Sequence, residues 1–128
     1  MDSATHTVFH WSRIADLRET SPEYAGTGIR GAERDRDQVK GTYFGESGYR
    51  EPIVQSGIRY AAKLDYATVY DLESDPLGLC LTAQTIARES GSNVRFEFKQ
   101  LVLHNGFLGY RAQSVVKYFR PVPVIPAS

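Results

Sequence analysis

The chain has 128 residues, of which 41% are hydrophobic, and its 15 basic residues balance 15 acidic ones. This length and composition suit one globular domain with a single core. Because the net charge is zero, the chain as a whole has no electrostatic attraction to nucleic acid or anionic lipid. No apolar run approaches the roughly 20 residues of a membrane span, and the single cysteine, Cys80, excludes an internal disulfide framework and a cysteine metal cluster.

The N-terminal part of the chain predicts a strand, a short helix and a loop. Residues 5–11 (THTVFHW) are rich in β-branched and aromatic residues, which favours a strand. No secretion signal precedes them, so we expect a cytoplasmic protein. Residues 12–19 (SRIADLRE) suit a short helix that ends before Pro22, and the glycines of residues 25–31 (AGTGIRG) require a loop. One or two polar helical turns are expected over residues 32–39.

The middle of the chain predicts three more strands. Residues 42–44 (TYF) form the first, and a long irregular stretch follows it. Residues 58–64 (IRYAAKL) and 67–72 (ATVYDL) have the alternating or β-rich pattern of successive strands.

A helix is clearest over residues 74–91 (SDPLGLCLTAQTIARESG). Asp75 is placed to cap it, Pro76 suits its first position and Gly91 suits its end. Residues 94–106 (VRFEFKQLVLHNG) fit either a strand, from the alternation of their first aromatics, or a helix that ends at Asn105-Gly106.

The C-terminal part predicts closing strands over residues 107–110 (FLGY) and 113–119 (QSVVKYF). Three prolines then end the sheet, which leaves residues 121–128 as a Pro-rich C-terminal tail of a single domain spanning residues 1–128. The fold class is therefore α+β, with more strands than helices.

Few arrangements of residues point to chemistry by themselves. His6 and His10 are four apart on a strand and His104 is remote, so no metal site is predicted. No GxSxG elbow is present, although a Ser–His–Asp triad assembled from distant residues stays an alternative. The glycine loop lacks a Walker lysine, yet its backbone N–H groups can approach a phosphate closely, and Arg30 and Arg34 flank it.

Several short motifs, in order, resemble the ADP-ribosyltransferase fold in its His-Tyr-Glu branch. His10-Trp11-Ser12 is similar to the H-G-[ST] opening of that branch, and residues 41–47 (GTYFGES) are similar to its second, G-x-Y-F, motif. The glycine loop and residues 105–110 (NGFLGY) resemble ADP-ribosyltransferase-like domains of phage and mobile-element proteins. The resemblance covers about residues 8–120 and implies a split, curved β core of about six strands with a central cleft between two small sheets. The strands that contain His10, Tyr43 and Gln113 should be neighbours, with these three side chains facing the cleft.

The resemblance also implies catalytic roles. His10 would bind an NAD ribose hydroxyl, and Tyr43 would stack on the nicotinamide, where an aromatic face can stabilise a cation. The family's third-motif glutamate, which stabilises the oxocarbenium-like transition state, corresponds to Gln113 in this chain. Gln113 can hydrogen-bond a hydroxyl but carries no charge. Three alternatives are therefore open: weak transfer, a different acid such as Glu46 or Glu33, or a fold that only binds.

NAD, as substrate, is the cofactor expected from the resemblance. The residues expected around it are Ser12, Gly28, Arg30, Arg34 and Phe44. Because neighbours on a strand point to opposite faces, we also predict that Tyr43 lines the pocket and that Phe44 lies in the core.

Two functions follow from these expectations. One is NAD-dependent ADP-ribosyl transfer by a toxin or phage effector to a macromolecular host target, for which a protein is favoured over a nucleic acid. The other is a binding module of the same fold that holds a nucleotide-like ligand or a protein partner without chemistry. Neither requires a membrane.

Structural explanations exist for the same residues. A histidine such as His10 is often simply half-buried on its strand. The excess of basic residues between Arg95 and Arg120, a local charge of +4, suits solvated surface.

Overall fold

A computed structural model describes residues 5–22, 41–46 and 57–127. The strands in this part of the chain are β1 (Thr5–Ser12), β2 (Thr42–Glu46), β3 (Ile58–Asp65), β4 (Val69–Asp71), β5 (Gly109–Ala112), β6 (Val115–Tyr118) and β7 (Ile125–Pro126). The helices are α1 (Leu79–Ser90) and α2 (Val94–His104), and a short 3₁₀ turn over Tyr66–Thr68 joins β3 to β4. The glycine loop and the polar helical turns predicted after it lie outside these residues.

The strands form one mixed sheet in the order β4-β5-β6-β2-β1-β3-β7. Only β4 and β5 are parallel, and every other pair is antiparallel. The class is α+β, as predicted. The expected division into two small sheets is absent from the described strands, because β2 and β6 pair in register from Thr42↔Tyr118 to Gly45↔Val115 and join both halves.

The two faces of this sheet differ in what covers them. The face that we call the core face carries the main apolar cluster, which includes Val8, Phe44, Tyr60 and Val116. The opposite face, which we call the helix face, packs against α1 and α2 over β4 and β5, where Tyr70 is fully buried. Strands β2, β1 and β3 extend this face beyond the helices, and Tyr43 there is 48% exposed.

The segment after β6 belongs to the core. Val122 and Val124 are buried in the main apolar cluster, and Thr20 exchanges hydrogen bonds with Val122 through its backbone N–H and its hydroxyl. Strand β7 then pairs with β3 and becomes the edge strand of the sheet. A proline is tolerated in an edge strand, because the N–H that it lacks is not needed to bond a further strand. The Pro-rich segment predicted as a tail therefore extends the sheet instead of ending it.

Residues 13–19 form turns rather than the predicted helix. Asp16 has a left-handed backbone (φ 58°), which interrupts helical geometry. The buried Tyr60 fixes this segment, because its hydroxyl donates to the Ile14 carbonyl (2.6 Å) and accepts from the Leu17 N–H (3.1 Å).

Helix α1 begins later than predicted and ends where predicted. Gly78, with φ 66°, precedes its first residue, and the Asp75 carboxylate accepts from the Leu79 N–H (2.9 Å). Asp75 thus caps the helix from a preceding turn that contains Pro76. Gly91 (φ 74°) ends the helix in the left-handed conformation that glycine adopts at low cost.

Of the two conformations left open for residues 94–106, the helix is the one adopted. The Asn93 side chain accepts from the Phe96 N–H (3.0 Å), which caps the first turn of α2. Gly106 (φ 90°) follows the last turn, as the helical alternative predicted.

Candidate functional site

His10 lies on the core face of β1, and its ring has a defined hydrogen bond. Its Nδ1 lies 3.0 Å from the backbone oxygen of Tyr43. A carbonyl oxygen only accepts, so Nδ1 carries the proton and Nε2 is left as an acceptor in the neutral ring. Within the described residues, Nε2 has no hydrogen-bond partner.

Burial favours this neutral form. It lowers the pKa of His10 below its ordinary value, and the hydrogen bond to the Tyr43 carbonyl opposes that shift only in part. At neutral pH the imidazole is therefore an uncharged acceptor whose tautomer is fixed by its partner.

Phe44 and Ser12 share the core face with His10. The Phe44 ring lies 5.6 Å from the His10 ring and is 1% exposed, so it supports the imidazole but has no surface left for a ligand. The prediction that Phe44 lies in the core is confirmed, whereas its predicted contact with a cofactor is wrong. Ser12 is half-buried, and its Oγ accepts from the Ile14 N–H (3.1 Å).

Tyr43 is on the opposite face from His10. Since Phe44 faces the core with His10, alternation along β2 directs Tyr43 to the helix face. The Lys117 ammonium lies 4.8 Å from the Tyr43 ring centroid there. Tyr43 is 48% exposed on this face, but the expected convergence of Tyr43 with His10 on one cleft is wrong.

Gln113 is in the tight turn between β5 and β6, not on a strand. It has φ 56°, and its backbone N–H donates to the Glu73 carboxylate (3.0 Å). The neighbouring Ser114 oxygen accepts from the Glu46 N–H (2.8 Å), which brings this turn to the end of β2. The predicted position of Gln113 on a strand that faces the same cleft as His10 is therefore wrong, because Gln113 lies in an exposed turn.

A carboxylate does lie on the core face, at Glu46. Glu46 pairs with Val8 on β1, one pleat from His10 on the same face. The Tyr66 hydroxyl donates to its Oε2 (2.6 Å), and Arg111 Nη1 lies 3.9 Å from the same oxygen. We call this group, together with His6 and Asp71, the Glu46 cluster.

The rest of the Glu46 cluster fixes the Tyr66 ring from both sides. The His6 ring stacks on Tyr66 at 3.9 Å, and the Arg111 guanidinium lies 5.3 Å from the centroid of that ring. Arg111 also approaches Asp71 (3.9 Å). Burial, followed by the hydrogen bond to Glu46, raises the pKa of Tyr66 well above its ordinary range, so Tyr66 stays a neutral donor that orients the carboxylate.

Sequence reasoning named Glu46 as a possible acid but missed Tyr66, Arg111, His6 and Asp71. In the sequence, Arg111 is distinctive only as one of the basic residues between Arg95 and Arg120. The fold places these basic residues on different faces of the sheet. Arg111 lies on the core face, whereas Lys99 and Lys117 contact aromatic rings of the helix face. Gly28, Arg30, Arg34 and Glu33, also expected near a cofactor, lie outside the described residues.

No protein-family model, curated protein or solved structure matches the chain. Across residues 5–22, 41–46 and 57–127, no helix is both long and apolar enough to cross a membrane. Over those same residues, no three histidine, cysteine or acidic side chains gather closely enough to bind a metal ion.

Proposed function

We propose that this domain binds NAD at His10 and transfers its ADP-ribose group to a macromolecular target. The observation that carries the proposal is the imidazole of His10, held neutral with Nε2 as acceptor on the face that also carries Ser12 and Glu46. A neutral acceptor of fixed tautomer suits a ribose hydroxyl, which needs a partner for its proton. The resemblance of His10-Trp11-Ser12 to the family's first motif points to the same ligand.

In this proposal Glu46 takes the role that Gln113 cannot fill. Transfer breaks the bond between the ribose and nicotinamide, the nicotinamide leaves with the bonding electrons, and the ribose carbon becomes oxocarbenium-like. A carboxylate oriented beforehand stabilises that positive charge without reorganisation. The target nucleophile then bonds to the ribose carbon and releases its proton to solvent.

The environment of Glu46 fits a carboxylate of this kind. Tyr66 donates to one oxygen at 2.6 Å, and Arg111 lies farther away at 3.9 Å from the same atom. The second oxygen of Glu46 is left to face a cationic centre, and about a quarter of the side chain is accessible, at 28%. Tyr43 has no part in this site, because it lies on the other face.

A second candidate function is binding of NAD without transfer of its ADP-ribose group. The loss of the family's glutamate at Gln113 and the position of that residue in a turn favour it. The two candidates share the role of His10 and differ only in whether the nicotinamide bond breaks.

The proposal is tested by NAD titration calorimetry together with measurement of nicotinamide release. His10→Ala is expected to weaken NAD binding at least 10-fold, because it removes the Nε2 acceptor. Glu46→Gln is expected to retain binding and abolish release. His104→Ala, an exposed histidine at the end of α2, is the matched control and should change neither.

The outcomes separate the candidates. Binding without release by the unmodified chain leaves the binding module as the function. Undetectable NAD binding, or affinity unchanged by His10→Ala, refutes both.

A further inference from the structure

A row of aromatic and basic side chains crosses the helix face from strand to strand. Cross-strand pairing aligns Tyr110 with Lys117 and Lys117 with Tyr43. The β1–β2 register, continued by two residues, aligns Tyr43 with Trp11, which is itself paired with Arg59 on β3. We call these five residues the stacking row. Side chains paired in this way project from the same face of a sheet.

Most of the stacking row extends past the helices. Tyr110 packs with the helices, in edge contact with Phe98 of α2. Beyond it Tyr43 is 48% exposed, and Trp11 and Arg59 are half-buried. Two rings on adjacent strands, those of Tyr43 and Trp11, are thus each exposed in part.

Cations accompany the rings of this face. The Lys117 ammonium lies 4.8 Å from the Tyr43 centroid, although Lys117 itself is only 3% exposed. The Arg59 guanidinium lies 3.8 Å from the centroid of Phe9, which is next to the stacking row on β1. Near the α2 rim, the Lys99 ammonium lies 4.9 Å from the Phe119 ring.

Small residues flank Phe9 on both sides. Its cross-strand partners are Gly45 on β2 and Ala61 on β3. A hollow of about 260 Å³ lies between β3 and the C-terminal segment, lined in part by Ala61, Lys63 and Ile125, and its lining is almost entirely apolar. The hollow therefore lies one strand away from Phe9, beside its partner Ala61.

The charge of the two faces is unequal, although the whole chain is neutral. Arg59 and the exposed Lys63 lie on the helix face of β3. Asp65, the acid on the same strand face, accepts from the Ala67 N–H (2.9 Å) and so caps the 3₁₀ turn. The carboxylates of Glu46 and Asp71 are on the core face. Among the described strand residues, the helix face is thus basic, and a ligand that complements it is an anion with exposed flat rings.

We propose that the helix face, at the stacking row, Phe9 and Lys63, binds single-stranded nucleic acid. Base stacking on aromatic side chains and basic groups that follow the phosphates are the two contacts by which proteins bind unpaired strands. A duplex keeps its bases stacked on each other, so it cannot use these rings. This inference is independent of the proposed NAD site, which lies on the opposite face.

The test is fluorescence anisotropy of a labelled 12-nucleotide oligothymidylate, with a duplex of equal length for comparison. We expect binding to the single strand, tighter than to the duplex, and quenching of the emission of Trp11, the only tryptophan. Tyr43→Ala and Phe9→Ala should each weaken binding about 5- to 150-fold, the range for loss of one stacked base. Tyr43→Phe, which keeps the ring, should bind like the unmodified chain.

Salt dependence tests the basic groups separately. Three phosphate contacts, from Arg59, Lys63 and Lys99, give a slope of about −2 for log affinity against log salt. Lys63→Ala should reduce that slope by about 0.7. His10→Ala should leave oligonucleotide binding unchanged, which separates this surface from the NAD site.

Three results would overturn the proposal. They are no binding of the oligonucleotide by the folded chain, equal affinity for the duplex, and affinity unchanged in both Tyr43→Ala and Phe9→Ala. Thermal melts of each variant confirm that a loss of binding is not a loss of fold. A chain that binds a protein partner through Tyr43 but no oligonucleotide also refutes the proposal.

Discussion

Substitution of the two adjacent rings of β2 by alanine should have opposite consequences. Phe44 is 1% exposed and lies in the main core with Val8 and Val116, whereas Tyr43 is 48% exposed on the other face. We expect Phe44→Ala to destabilise the fold strongly with little direct effect on ligands. We expect Tyr43→Ala to leave the fold nearly intact.

The magnitudes follow from burial. Truncation of a buried phenylalanine to alanine costs about 3–5 kcal/mol, because the lost transfer free energy adds to that of the cavity. With an unfolding entropy of about 2.1 cal/mol/K per residue, a cost of 4 kcal/mol lowers the Tm of a 128-residue chain by roughly 15 °C. Tyr43→Ala removes a half-exposed ring and its cation–π contact with Lys117. This should lower the free energy of unfolding by about 1 kcal/mol, and the Tm by roughly 4 °C.

The assay is thermal and urea unfolding of both variants, with NAD and oligonucleotide titration of each folded protein. Phe44→Leu serves as a graded control, since it fills most of the space and should cost less than about 1.5 kcal/mol. A Tyr43→Ala variant that is less stable than Phe44→Ala, or an equal loss of stability in both, would contradict the assignment of the two faces. Loss of NAD binding in a stable Tyr43→Ala protein would restore Tyr43 to the cleft in which the sequence motif first suggested it.

Other predictions concern the pH dependence of stability and the substitution of two glycines. Burial lowers the pKa of His10 in the folded chain, so the unfolded chain binds the proton more tightly. Above about pH 6.5 the ring is neutral in both states and His10 does not alter the free energy of unfolding. As the pH falls from there toward the lowered pKa, protonation of the unfolded chain decreases the free energy of unfolding. The difference in unfolding free energy between pH 7 and pH 5 should therefore shrink in His10→Gln. Gly109→Ala should cost about 3 kcal/mol or prevent folding, since its Cβ would lie 2.5 Å from the Lys117 carbonyl oxygen on the paired strand. Gly91→Ala has open space and should cost only the left-handed strain of about 1–2 kcal/mol; equal melting temperatures for the two glycine variants would contradict this.

Local patterns predicted the strands well and the helix boundaries less well. Alternation identified β3, where Tyr60 and Leu64 are buried, because one face of that strand packs on the core. The start of α1 was predicted too early, since Asp75 can cap from a turn as well as from the helix itself. The alternation of Val94 and Phe96 fitted a strand equally well, and it was the cap at Asn93 that favoured the helix.

The candidate site depended on contacts that local patterns do not contain. Whether His10 and Tyr43 share a face is set by the register of β1 against β2, and a shift by one residue would reverse it. That register is fixed by residues 33 positions apart, which meet only in the folded sheet. The Glu46 cluster likewise joins five separate elements, so none of its members was distinctive along the chain.

The order of strands in the sheet has a consequence for how the chain folds. Strands β1 and β3 can pair early, because both lie in the first half of the chain, but the neighbour of β2 on its other side is β6. The apolar cluster also needs Val122 and Val124. A chain that is still being synthesised therefore exposes the β2 edge and the apolar side of Phe44 until residues 115–124 emerge. Such non-local pairing makes folding slow and leaves the nascent chain open to aggregation, so we expect chaperone binding to concentrate on the nascent rather than the completed chain.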